Sequence, residues 1–454
     1  MNLTSYKTES LHGKVDCPGD KSVSQRIVII GSLLNCDMHV NGFLNAQDPI
    51  STVNALNSIG SSISINKNKV TLNKREVMFK DPQQELNLGN SGTGARLLLG
   101  LISGLGLRLT MRGDSSLEKR PMSRVIKPLK MMGAKLSSDS GTLPIRTLGS
   151  KIINNFEYKM PIASAQVKSC LLLAALSSQK NIKITEPKIT RDHTERMIEF
   201  FGGEILYENN QNSKTIQLNY SELEQKNSFD VPGDFSSAAF IIVATIISKG
   251  SEVVIKNVGL NESRKGLLDV LLLMGANLEI KNKKKASNEI VGDIYISSSE
   301  LRGIDVPDNI IPNIIDEIPI LSVAACFAEG QTVIKNAAEL RVKESDRLHA
   351  ISQGLIKLKI KHDIFEDGIL ISGASKELKC DESIDSFDDH RIAMSFLIAG
   401  IRSDNFIRVT NCKNIETSFP NFKRIMNTIG MKINEEDKCN YYRWAFCIWK
   451  GSAC

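Results

Sequence analysis

Ile59-Gly60, Met132-Gly133, Phe201-Gly202, Met274-Gly275 and Ile429-Gly430 are five copies of one event, an apolar helix end followed by glycine. The first four glycines stand 73, 69 and 73 residues apart, and the step from Gly275 to Gly430 is 155, close to two periods. The skipped copy falls at Leu358-Lys359, where Leu355-Ile356-Lys357-Leu358 keeps the helix end without the glycine. Six units therefore fill most of the chain, and the glycine is expected to supply a left-handed helix C-cap in each.

About 40 residues before each glycine lies a second recurring element, a polar, small-residue start followed by an apolar helix. In order these are Pro18-Gly19-Asp20-Lys21-Ser22, Gly89-Asn90-Ser91-Gly92-Thr93, Ala163-Ser164-Ala165-Gln166, Pro232-Gly233-Asp234-Phe235-Ser236-Ser237, Asp316-Glu317-Ile318-Pro319 and Asp388-Asp389-His390-Arg391. Ser, Asp, Asn and Gly favour helix N-caps, so these read as six helix starts. Helices are predicted over 95–103, 167–176, 238–247 and 320–327, with β-branched strands at 182–184, 252–255 and 332–334. The unit reads as β-α-β-α-β-β. A solenoid is the simplest alternative, but a period near 70 exceeds the usual 20–50 residues and suits two lobes of three units, with helix starts facing a common cleft.

Composition limits the function. The chain has 454 residues, 41% of them hydrophobic, enough for more than one domain. A net charge of +6 is modest, and runs such as Lys281-Asn282-Lys283-Lys284-Lys285 read as solvated loops rather than a nucleic-acid surface. The nine cysteines are scattered without a CxxC pair, as in a reducing cytosol. The start is polar and no apolar run would span a bilayer, so a cytoplasmic protein away from membranes is expected.

Chemistry concentrates at cationic starts. Lys21, Ser22 and Arg26 follow the first cap. Arg341-Val342-Lys343-Glu344-Ser345-Asp346-Arg347 reads as a second start, with Lys343 and Arg347 sharing a helical face at i,i+4. Arg191–Arg196 and His390-Arg391 repeat the theme. Four such places in one repeat point to ligands carrying several negative charges. The stretch Gly89–Arg96 lacks the Gly-Lys-Ser/Thr ending of a Walker A loop, so its glycines are expected to let backbone approach a small ligand. Gly100, Gly104 and Gly106 form no dinucleotide fingerprint. No HExxH or paired-histidine spacing supports a metal, and no Gly-x-Ser-x-Gly elbow occurs. Asp316-Glu317 opens a helix; in a cationic cleft Asp316 would stay ionised and could accept a hydroxyl proton, with Glu344 a second proton-transfer candidate. The Pro232–Ser237 start lacks a cation and reads as mainly structural.

Nine motifs, PGDKSVSQR (18–26), LGNSGTGAR (88–96), KRPM (119–122), ASAQVKS (163–169), TRDHTER (190–196), PGDFSSAAF (232–240), DEIP (316–319), RVKESDRL (341–348) and DHRIAM (389–394), together resemble the 3-phosphoshikimate 1-carboxyvinyltransferase (EPSP synthase) family. They run in family order from about residue 5 to 433. The resemblance implies an α/β fold of two lobes, each of three βαβαββ repeats (an inside-out α/β barrel). One lobe would comprise residues 1–20 plus 235–433 and the other 21–234. It implies transfer of the enolpyruvyl group of phosphoenolpyruvate to the 5-hydroxyl of shikimate 3-phosphate, in the shikimate pathway to chorismate and aromatic amino acids. No cofactor or metal is implied, and a monomer is expected.

By the same resemblance Lys21, Ser22, Arg26, Ser164, Gln166, Arg191, Asp316 and Lys343 would hold shikimate 3-phosphate. Lys21, Gly92, Arg120, Gln166, Arg347 and Arg391 would hold phosphoenolpyruvate, with Glu344 and His390 close by. Asp316 would deprotonate the hydroxyl, and Glu344 or Lys21 would protonate the methylene carbon. Two departures stand out. Glu416-Thr417-Ser418 precedes Phe419-Pro420 where some members have a lysine, and residues 434–454 form an atypical tail with both tryptophans and three cysteines, to which no role falls. The nearest rival is a UDP-N-acetylglucosamine enolpyruvyl transferase, disfavoured because no cysteine occurs between Cys36 and Cys170. A non-catalytic anion-binding scaffold is the rival of another class.

Overall fold

The computed structural model describes residues 1–436 except 153, 211, 212 and 374–376. Most of the atypical tail, 437–454, lies outside the described residues. The described residues form six small sheets, five of four strands and one of three. The sheet of Leu86–Asn87, Arg108–Arg112, Ile145–Leu148 and Leu136–Ser137 illustrates the unit. Its first two strands are parallel and joined by helix Gly92–Leu105; the others add antiparallel. This is the β-α-β-α-β-β order expected from the repeat.

The recurring glycines have the geometry their position demands. Gly60, Gly133, Gly202, Gly275 and Gly430 all have φ between 75° and 109°. At the skipped copy Lys359 adopts φ 55° despite its side chain, so the left-handed cap is kept even where glycine is lost. Of the six helix starts, five carry a side-chain cap: Asp20, Ser91, Ser164, Asp234 and Asp389 each accept a backbone N–H of the first turn. The sixth differs from expectation. Glu317 precedes helix Ile318–Cys326 but makes no cap bond, because its carboxylate is turned to buried cations.

Strand exchange between distant segments is the feature that periodicity does not reveal. Strand Leu3–Tyr6 lies between Phe406–Thr410 and Lys432–Glu435, completing the last unit from the chain's other end. Strand His12–Asp16 pairs in parallel with Glu252–Gly259, while Ser228–Asp230 pairs in parallel with Met38–Asn41. The chain thus crosses twice between two halves. The crossings lie side by side, with Asp20 N–H donating to Pro232 O at 2.8 Å and Asp234 N–H to Pro18 O at 2.7 Å. Two separate apolar cores result, one built from residues 23–231 and the other from Leu3, Leu11, Val15 and residues 235–433.

Helix packing sets the cleft. Helices Gly92–Leu105 and Ala165–Ser178 approach so closely that a Cβ on Gly100 would lie 2.1 Å from Cys170 O, and one on Gly104 2.4 Å from Ala174 O. These glycines therefore serve helix contact. Their consequence is that the starts of the two helices come together: Gln166 Nε2 donates to Thr93 Oγ1 at 2.9 Å.

Candidate active site

A cleft of about 560 Å³ opens between the two cores, lined by helix starts from both. Its walls carry ten lysine and arginine side chains against five carboxylates, an excess of five where the whole chain carries +6. The positive charge of the molecule is thus concentrated in one concave place, where low-dielectric walls focus the field.

Lys21, Ser22, Gly92, Arg120, Ser164, Gln166, Arg191, Asp316, Lys343, Glu344, Arg347, His390 and Arg391 all line this cleft. Arg26 does not. Its guanidinium is buried behind Ser22, donating to Ser22 O at 3.0 Å, Thr194 Oγ1 at 2.8 Å and Ser169 Oγ at 3.0 Å. Burial pushes it down to about 10. Arg196, also in a cationic motif, pairs with Asp192 at 2.9 Å away from the cleft.

Asp316 sits at the centre. Arg191 reaches it from the opposite half at 2.6 Å, Arg347 at 3.2 Å and Lys343 at 3.6 Å, and Arg391 donates to its backbone carbonyl at 2.8 Å. Burial alone would raise its carboxyl, but Lys343, Arg191, Arg391 and Arg347 outweigh burial and hold it well below the usual carboxylate range. The shared helical face expected for Lys343 and Arg347 is not what unites them. Helix Arg347–Lys357 begins at Arg347, capped by Asp346, and Lys343 lies in the irregular segment before it. A common carboxylate brings them together instead.

Glu344 receives Arg347 at 2.5 Å and Arg120 from the other half at 3.6 Å. Burial opposes its ionisation, yet Arg347 and Arg120 keep its carboxyl well below its ordinary value. His390 moves the other way: burial, then Lys21 and Arg391, hold its imidazole neutral at neutral pH. Lys21 Nζ rests on Asp48 at 3.0 Å. Gly92 has a steric purpose, since a Cβ there would come within 3.1 Å of Nη1 of both Arg120 and Arg96.

These shifts fix the sign of one pH dependence. Asp316 and Glu344 have depressed folded values, so the stability they contribute is present above their unfolded values, near pH 4, and lost as pH falls toward the folded ones. Asp234, pushed up to about 6 by burial and by Asp20, works oppositely: its contribution is full below about pH 4 and lost as pH rises through 6. Glu344→Gln is therefore expected to flatten the fall in denaturation midpoint between about pH 5 and 3. An unchanged slope would remove Glu344 from this balance.

Several lining residues escaped sequence reading. Arg96 donates to Gln166 Oε1 at 2.8 Å and to Pro121 O at 3.2 Å, and burial followed by Arg124 and Arg120 pushes it down to about 10. It stands in the Gly89–Arg96 motif and could have been found there. Asp48, Arg124 and Arg264 carry no comparable local signal. The Pro232–Ser237 start is not merely structural either: Asp234 and Ser236 line the cleft, and the missing cation comes from Arg264, whose Nη2 donates to Ser236 Oγ at 2.5 Å. Beside Phe419-Pro420, Glu416 accepts from Gln47 of the other half at 3.3 Å.

Repeated βαβαββ units in two lobes around an anion-binding cleft define the enolpyruvyl transferase class. The family model for EPSP synthase (3-phosphoshikimate 1-carboxyvinyltransferase) matches residues 5–426. The 3-phosphoshikimate 1-carboxyvinyltransferase of Petrotoga mobilis is 44% identical over 435 residues, 94% of this chain and 99% of that one. That of Coxiella burnetii is 40% identical over 436 residues, 95% of this chain and 98% of that one. The solved structure of EPSP synthase from Acinetobacter baumannii superposes with a TM-score of 0.83 at 38% identity, covering 96% of this chain and 100% of that one. The chain belongs to the EPSP synthase family. No helix among the described residues is long and apolar enough to cross a membrane.

Proposed function

We propose that the interlobe cleft carries out enolpyruvyl transfer from phosphoenolpyruvate to the 5-hydroxyl of shikimate 3-phosphate, with the residues named from the sequence in the stated roles. The observation that carries this reading is the charge of the cleft. Each substrate brings one phosphate and one carboxylate, roughly −3 apiece, and the cleft offers cations in excess on both walls. Lys21, Ser22, Ser164, Gln166, Arg191, Asp316 and Lys343 hold shikimate 3-phosphate, Asp316 through the hydroxyl it deprotonates, with Arg26 fixing Ser22 from behind. Lys21, Gly92, Arg120, Gln166, Arg347 and Arg391 hold phosphoenolpyruvate.

Asp316 takes the proton of the attacking hydroxyl while Lys21, or Glu344 once phosphoenolpyruvate engages Arg347 and Arg120 and lets its carboxyl take up a proton, protonates the methylene carbon, giving a tetrahedral adduct. Expulsion of phosphate then returns a proton from the new methyl group to Glu344 or Lys21, and the proton held by Asp316 leaves with the phosphate. In the free cleft Asp316 is a weak base because four cations hold its charge. Substrate phosphates and carboxylates engage those cations and restore its basicity when the hydroxyl arrives. Bridges between the halves, Arg191–Asp316 and Arg120–Glu344, support closure of the two lobes on the substrates. The lobes are 21–234 and 1–20 plus 235–433, a division supported by the separate cores. The protein acts as a cytoplasmic monomer.

Phosphate release with both substrates tests the reading. Turnover with shikimate 3-phosphate and none with UDP-N-acetylglucosamine is expected; the reverse selectivity, or no turnover with either, would overturn it.

A further inference from the structure

Behind Arg391 lies a buried cluster to which the functional reading gives no role. Ser236 Oγ donates its only proton to Glu317 Oε1 at 2.5 Å and accepts from Arg264 Nη2 at 2.5 Å and Arg391 Nη2 at 3.1 Å. Its one donor and both lone pairs are thereby used. Glu317 Oε1 also accepts from Arg391 Nη1 at 3.3 Å and lies 3.7 Å from Arg264 Nη2. Two guanidiniums are thus drawn to one hydroxyl and one carboxylate oxygen, with Arg264 and Glu317 only 4% and 0% exposed.

Like charges brought this close out of water repel strongly unless an anion sits between them. Glu317 Oε1 lies between the two guanidiniums, with Asp234 Oδ1 a further 3.6 Å neighbour of Arg264 Nη2, and the bonds to Ser236 and Arg391 explain why Glu317 forgoes capping its helix. Among the described residues Glu317 Oε2 and Arg264 Nε and Nη1 have no hydrogen-bond partner, so the cluster is committed at the oxygen it shares with Arg391. Arg264 Nη1 lies 4.0 Å from Asp316 Oδ2, extending the same cation field to the base.

We infer that Glu317 and Arg264, joined through Ser236, are positioning residues that aim the Arg391 guanidinium at phosphoenolpyruvate. Three points fix a planar group that one would leave free to rotate: Asp316 O, Glu317 Oε1 and Ser236 Oγ all take Arg391 donors. A donor fork held in advance loses less freedom when it binds a bidentate anion. The inference rests on the assignment of Arg391 to phosphoenolpyruvate.

The test compares Glu317→Gln, Ser236→Ala and Arg391→Lys by steady-state kinetics in each substrate, with shikimate 3-phosphate binding by titration and thermal midpoints. Glu317→Gln is expected to raise the KM for phosphoenolpyruvate at least about tenfold, with shikimate 3-phosphate affinity within about twofold. Ser236→Ala should shift the same constant in the same direction, and it keeps the test open should Glu317→Gln fail to fold. If Arg391→Lys raises that KM while the other two leave it within about twofold, the positioning role is wrong. Equal losses for both substrates with a lowered thermal midpoint would also overturn it, showing a structural role. If Arg391→Lys itself leaves the KM unchanged, the assignment beneath the inference fails instead.

Discussion

Asp316→Asn should lower kcat by about three orders of magnitude while shikimate 3-phosphate binds at least as tightly as before. The first half follows from the base role: a positioned proton acceptor contributes roughly 10²–10⁴-fold, and an amide cannot replace it. The second follows from the free cleft, where Asp316 occupies Arg191, Arg347 and Lys343 at 2.6, 3.2 and 3.6 Å. The carboxylate competes there with the incoming shikimate 3-phosphate for Arg191 and Lys343, and with phosphoenolpyruvate for Arg347. Removing its charge releases them, so affinity is retained or improved while chemistry is lost. Titration calorimetry beside steady-state kinetics separates the two effects. Near-normal kcat would take Asp316 out of the base role, and a large loss of affinity would show that it orders the cations rather than competes for them.

Arg347→Met should cost about 3–5 kcal/mol of stability in the free protein, besides abolishing turnover. Arg347 is 1% exposed and is shared by Asp389 at 2.8 Å, Glu344 at 2.5 Å and Asp316 at 3.2 Å. Those three carboxylates raise its own value further above the ordinary arginine range, against burial. Methionine fills a similar volume but strands the carboxylates, above all Asp389, whose side chain is 0% exposed. Protonation relieves whatever charge the remaining cations leave unpaired, so the loss should shrink as pH falls toward 4. Denaturant unfolding at two pH values reads this directly. A loss below about 1 kcal/mol would mean that the neighbouring cations already compensate the cluster.

Both effects rest on residues that the chain supplies from places far apart, and this separates what could be read in advance from what could not. The period of the helix-ending glycines, the five side-chain caps and the cationic starts are local properties. A left-handed cap needs a residue free to take positive φ, and an N-cap needs a side-chain oxygen beside its own helix, so neighbours in sequence decide them. For that reason the unit order, and the lysines and arginines set beside caps, were legible.

The expected helical face of Lys343 and Arg347 failed where local periodicity was trusted across an irregular turn. Arg26 carried a cation to a start yet spent it on Thr194 and Ser169 of its own half. Arg264 and Glu317 could not be assigned from sequence, because their meaning comes from Ser236 and Arg391, 28 and 74 positions away. The sequence by itself determined the repeated unit, the family and the chemical character of the helix starts. Only the tertiary structure decided which charges meet, because strand exchange between distant segments brings them to one cleft, and an ion pair depends on separation in space.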